Sequence, residues 1–245
     1  MAAELGRVFR FGFNHRMALA LLLAVVAVAT RADEPSAPVA PTNPPVRFLG
    51  GGVFEIGGLR LNKNERTVSF AASVNARIQT VEYAVVHQTG KTHESIFRTE
   101  ARPLDLQVAL LLLGLKGAMT NAFGVDGKGV PVGEKMWIEV GWTNQGARVR
   151  CPMEDLVFNR ESKTAMARGE WIYNGSNFSE GSFTAQRDGS IVSLHSDPDA
   201  LVNNSRPGRE NDDLYEPFTT KLPPVGTPVE IIFQLAPPKT TLPAP

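Results

Sequence analysis

Residues 67–75 alternate: Val68, Phe70, Ala72 and Val74 fall on one face, Thr67, Ser69, Ala71, Ser73 and Asn75 on the other. A period of two predicts a half-buried strand. Residues 78–87 continue with Val81, Tyr83 and Val85 on one side. Further short strands are predicted at 136–142, 156–158, 171–173, 183–185, 190–194 and 229–235, separated by Gly, Asn, Asp and Pro clusters. Asp188-Gly189, between two of them, predicts a hairpin turn.

One stretch breaks this rhythm. "PLDLQVALLLLGLKG" (Pro103–Gly117) places Leu106, Val108 and Leu110 to Leu113 nearly all round a helix. Pro103 suits a first helical turn, and Gly114 or Gly117 suits the exit. A helix apolar on every face is buried, so it is expected to cross the sheet as the centre of the core. A shorter helix is expected from "SDPDAL", with Ser196 or Asp197 as cap. The fold class expected is therefore α+β: a mainly antiparallel β sheet or sandwich with one buried apolar helix.

The ends read differently. Arg7, Arg10, His15 and Arg16 precede an apolar run from Met17 to Ala29, followed by small residues with a cleavage context after Ala32. This is the layout of a secretory signal peptide at 1–32, and its apolar run falls short of the ~20 residues that span a bilayer. A proline-rich linker at 33–47, a single domain at 48–235 and a flexible tail at 236–245 complete the organisation. The expected place is the periplasm or the cell exterior, with no stable membrane span after cleavage.

Export changes the charge. The chain carries 25 basic and 25 acidic residues; losing four arginines and Glu4 leaves the mature chain near −3. Its basic residues are scattered, so nucleic acid is not an expected partner. Cys151 is the sole cysteine, which excludes an internal disulfide and leaves no ligand set for an iron–sulfur cluster.

Complete catalytic motifs are absent: no G-x-S-x-G elbow, H-E-x-x-H or P-loop occurs. The richest polar stretch is "GKTHESIFRTEARP" (Gly90–Pro103). In it Glu94 could serve as a general base and His93 as a metal ligand or proton carrier, with Ser95 a weaker nucleophile candidate. His93 and His195 with Asp197, Asp212 or Asp213 would suffice for a mixed nitrogen and oxygen metal site if the fold gathers them. Solvated histidines and surface acids are the plain alternative. "NGSNFSEGS" after Trp171 and Tyr173 suits either a polar-ligand surface or a turn.

The blocks "GKTHESIFRTEARP", "LLLLGLKG", "WIYNGSNF", "GSIVSLHSDPDALVNN" and "LPPVGTPVEIIF", in that order, resemble the YdjY-domain family over about residues 48–233. The resemblance implies an exported bacterial protein and supplies no reaction. Some relatives carry cysteine-rich cluster motifs, which a chain with Cys151 alone cannot share. The family's polar blocks fall here on Lys91, His93, Glu94, Ser95, Trp171, Tyr173, Gly175, Ser176 and Asn203. Among these, Lys91, Trp171, Tyr173, Ser176 and Asn203 are the expected binding residues. The expected function is an exported binding or accessory protein acting on an unidentified ligand or partner protein. The alternative is a metal-assisted hydrolase or other enzyme built on His93 and Glu94.

Overall fold

The structure, a computed structural model, describes residues 45–75, 79–118, 122–123 and 129–237. The signal peptide, nearly all of the linker and most of the tail lie outside the described residues. Three short strands, β1 (Val46–Gly50), β2 (Val53–Ile56) and β3 (Leu59–Asn62), form an antiparallel meander that leads into the long β4 (Thr67–Val74). β5 (Tyr83–His87) and β6 (Ser95–Thr99) follow, then α1 (Pro103–Leu112) and the hairpin of β7 (Glu134–Asn144) with β8 (Ala147–Pro152). β9 (Val157–Asn159) pairs with β10 (Thr164–Ala165). Beyond β11 (Trp171–Tyr173) a small hairpin, β12 (Phe178–Ser179) and β13 (Ser182–Phe183), runs into α2 (Thr184–Asp188). β14 (Ser190–Ser193), β15 (Val202–Asn204), β16 (Tyr215–Pro217) and β17 (Pro228–Gln234) complete the order.

Eight of these strands close on themselves in the order β4–β17–β7–β11–β15–β14–β5–β6, and β6 pairs back with β4 at Phe97 and Arg98. The expected sheet or sandwich is thus a closed, β-rich barrel with few helices. Within the ring β5–β6 and β14–β15 run parallel and the other pairs antiparallel. Closure pairs backbone groups that an open sheet would leave at its edges.

Alternation sets the filling. Phe70, Ile231 and Val140 stand in register across β4, β17 and β7; Val68, Phe233 and Ile138 form the next row. All six are buried, and Phe70 meets Phe233 edge-on with centroids 5.3 Å apart. Glu139 and Glu230 alternate to the opposite face and pair with Arg150 and Arg148.

The leucine-rich helix is not the centre of the core. Leu106, Ala109 and Leu110 are buried, but Leu111 and Leu112 remain 46% and 44% exposed. α1 packs against β3, β4 and α2. The interior of an eight-stranded barrel is too narrow to take a helix, so α1 lies against it. Two local expectations also change. Asp188-Gly189 ends α2, with Gly189 at φ 71°, rather than turning a hairpin. "SDPDAL" is a turn, not a helix, because Asp197 Oδ1 accepts the Asp199 N–H at 2.8 Å. Among the described residues no helix is long and apolar enough to cross a membrane.

Candidate functional site

The parallel pairing of β5 with β6 needs a crossover, and that crossover carries the polar stretch. It folds as one 3-10 turn, Thr92–Glu94, preceded by Gly90. A Cβ on Gly90 would stand 2.7 Å from the Asp188 carbonyl and 3.0 Å from the Gly189 Cα. Glycine therefore lets this turn lie directly on the end of α2. Lys91 then folds back over β5: its Nζ donates to the Tyr83 hydroxyl at 3.0 Å and sits 4.9 Å from the ring centroid.

From the opposite side comes the loop after β14. Tyr83 donates its hydroxyl proton to Asp197 Oδ2 at 2.8 Å. Burial, with the Asp197 charge and hydrogen bond adding, pushes the Tyr83 phenol well above its ordinary range. It therefore remains a donor at physiological pH. Around this Lys91–Tyr83–Asp197 line lies a cleft of about 280 Å³, walled also by Glu82, Asp188, Ser190, His195, Ser196 and Asp199. Asp188 is held below the usual carboxylate range by a two-point bond to Arg187, with Lys91 adding to the effect.

The acidic loop is held by amides. Asn203, fully buried, accepts the Asp197 N–H at 3.0 Å and donates to the Asp197 carbonyl and to Asn174 Oδ1, each at 2.8 Å. Asn174 donates in turn to the Ala200 carbonyl at 3.0 Å. Ser176 Oγ donates to the Asp199 carbonyl at 2.6 Å, and Asn177 to the Pro198 carbonyl at 2.9 Å. "YNGSN" and "LVNN" thus position the loop, while "GKTHES" supplies the lysine that faces it.

The other sequence candidates lie elsewhere. His93 is 77% exposed, its ring 3.7 Å from Glu94, whose other oxygen lies 3.5 Å from Lys91 Nζ. Ser95 is fully buried, donating to the Thr92 carbonyl and accepting from Asn75. Trp171 sits in the core, donating Nε1–H to Glu154 at 3.1 Å beneath the Arg206 guanidinium, which pairs with Glu154 at 2.5 Å. Tyr173, also buried, donates to Gln107 on α1. Asp212 is exposed and lies outside the cleft, whereas His195 and Asp197 both line it. No group of three or more His, Cys, Asp or Glu among the described residues could hold a metal. Cys151 is half-buried, and burial pushes its thiol up to about 12.

Two larger depressions, of about 450 and 350 Å³, border β4. Neither is lined by any of the candidate site residues named from the sequence, so volume alone does not choose between the clefts. Sequence reasoning missed Glu82, Tyr83, Asp188, Ser190 and Asp199. Tyr83 reads as a core position because it shares a strand face with Val85; its polar tip was the available signal.

No curated protein and no solved structure matches the chain. The YdjY domain matches residues 59–234, a span that contains the closed barrel, the Lys91 turn and the Asn203-held loop alike. By that match the chain belongs to the YdjY domain family.

Proposed function

We propose that this is an exported binding or accessory protein whose small polar ligand occupies the Lys91–Tyr83–Asp197 cleft. The observation that carries the reading is convergence. Blocks around residues 91 and 195–199, far apart in sequence, meet at one cleft, and a third block at 174–177 holds the acidic loop from behind together with Asn203. Buried amides at Asn174 and Asn203 serve there to fix the shape of a half-exposed acidic loop. Such groups are costly to bury without partners, so holding a loop in this way supports a role for its shape. A small concave site with a few convergent polar groups is the general form of a ligand pocket.

The hydrolase reading has one contact in its favour, His93 beside Glu94. It is the weaker proposal, because His195 and Asp197 line the cleft whereas His93, Glu94 and Asp212 do not. The test is a native mass spectrometry screen of the full chain against small polar metabolites, repeated on Ser196→Phe, which fills the cleft. Binding lost in that variant, with an unchanged melting temperature, supports the proposal. Ligands held equally by both proteins overturn it.

A further inference from the structure

We infer that the cleft is a seat for an ammonium group, kept closed by Lys91 acting as a tethered stand-in for the ligand. The inference rests on the cleft reading proposed above. Its starting point is what Lys91 already does. The Lys91 Nζ lies over the Tyr83 ring, donates to the Tyr83 hydroxyl, and has Glu94 and Glu82 oxygens at 3.5 and 3.9 Å. An aromatic face with carboxylates around it is the environment that recognises an alkylammonium. Here the molecule satisfies it with its own side chain.

The hold is light. Only the bond to Tyr83 is short; both ion-pair distances exceed normal hydrogen-bond length, and the Lys91 side chain is 45% exposed on a flexible stem. Behind it the cleft is acidic: Glu82, Asp188, Asp197 and Asp199 face one lysine and His195. Asp197 and Asp188 are already engaged by Tyr83 and Arg187. Glu82 and Asp199 retain acceptor capacity for an incoming cation: Glu82 Oε2 meets Lys91 only at 3.9 Å, and Asp199 Oδ1 meets the Asn177 amide only at 3.4 Å. The ligand class is therefore a small organic amine, whose ammonium takes the place of Nζ while Lys91 swings outward.

A self-occupied seat has a signature that an ordinary cation site lacks: removing the lysine strengthens binding. If the seat is open about a tenth of the time, the apparent affinity is about tenfold below the intrinsic one. Lys91→Met keeps the stem and removes the charge, so it should tighten amine binding by about tenfold. The experiment is calorimetric titration of the full chain with 1,4-diaminobutane and glucosamine. 1,4-Butanediol and N-acetylglucosamine serve as neutral matches, and succinate as an anion.

The expected result is saturable binding of the amines alone, tightened by Lys91→Met, weakened by Glu82→Gln or Asp199→Asn, and abolished by Ser196→Phe. Amine binding that is unchanged or lost in Lys91→Met overturns the inference, since Lys91 would then not compete for the seat. Amine binding that survives Ser196→Phe also overturns it, as diffuse attraction to an acidic surface. Preference for succinate, or for any neutral ligand blocked by Ser196→Phe, refutes the ammonium seat while leaving the cleft reading intact. If nothing that binds is blocked by Ser196→Phe, both fall.

Discussion

Truncating Asn203 tests whether the acidic loop is built by the amide network. Asn203→Ala removes three hydrogen bonds, two to the Asp197 peptide groups and one to Asn174. Asn174 is itself 1% exposed, so its Oδ1 is left as a buried acceptor without this donor. An orphaned buried group costs about 1–3 kcal/mol, and each of the two loop bonds contributes about 0.5–1.5 kcal/mol net. Their sum centres on about 4 kcal/mol, equivalent to a melting-temperature drop of roughly 8–16 °C for a body of this size. Asn203→Asp should be no better. It keeps an acceptor for the Asp197 N–H but sets a carboxylate against the two oxygens that Asn203 now serves. Urea titration followed by tryptophan fluorescence reads the loss as a lower midpoint at constant slope. Hydrogen exchange at the Asp197 and Asp199 amides should accelerate beyond the global change. A variant within about 0.5 kcal/mol of the parent, with both amides still protected, would refute the claim that Asn203 shapes the loop.

Glu154→Ala strands the buried Arg206 guanidinium and removes the acceptor of Trp171 Nε1–H. A loss of about 3–5 kcal/mol in urea titration is expected. Glu154→Gln, which keeps an acceptor, should lose less. Gly90→Ala forces its Cβ to within 2.7 Å of the Asp188 carbonyl unless the Lys91 turn moves. A cost of about 1–3 kcal/mol is expected, together with faster exchange of the Thr92 amide. His87 is buried, which holds its imidazole below the ordinary range against the opposing pull of Glu100. Its neutral form is therefore favoured in the fold. The stability it contributes is complete above pH ~6.5 and is lost as pH falls through the lowered folded-state value. Urea midpoints taken from pH 8 to 5 should fall over that window, and His87→Gln should flatten the fall.

Local structure is legible in the chain alone. The alternation at 67–75 is β4, and Val68, Phe70 and Val74 are buried as the period requires. Period two assigns faces without naming neighbours, because the alternation of Cβ directions belongs to each strand alone. Which strands pair, and that β6 returns to β4 and closes a barrel, depends on contacts between residues far apart in the chain. Composition made the 103–113 run apolar all round, but only its neighbours decided that Leu111 and Leu112 face outward. At the proposed cleft, Lys91, Ser176, Asn203, His195 and Asp197 were legible as polar residues in dense blocks, and all belong to the cleft or its supports. Trp171 and Tyr173 belong instead to the core, because a buried aromatic with a polar tip needs only one partner, and Glu154 and Gln107 provide it. Tyr83 could not be read as a cleft residue from its strand. Its hydroxyl acquires meaning only when a glycine contact at Gly90 lets Lys91 fold over it and an asparagine 120 positions along the chain sets Asp197 opposite.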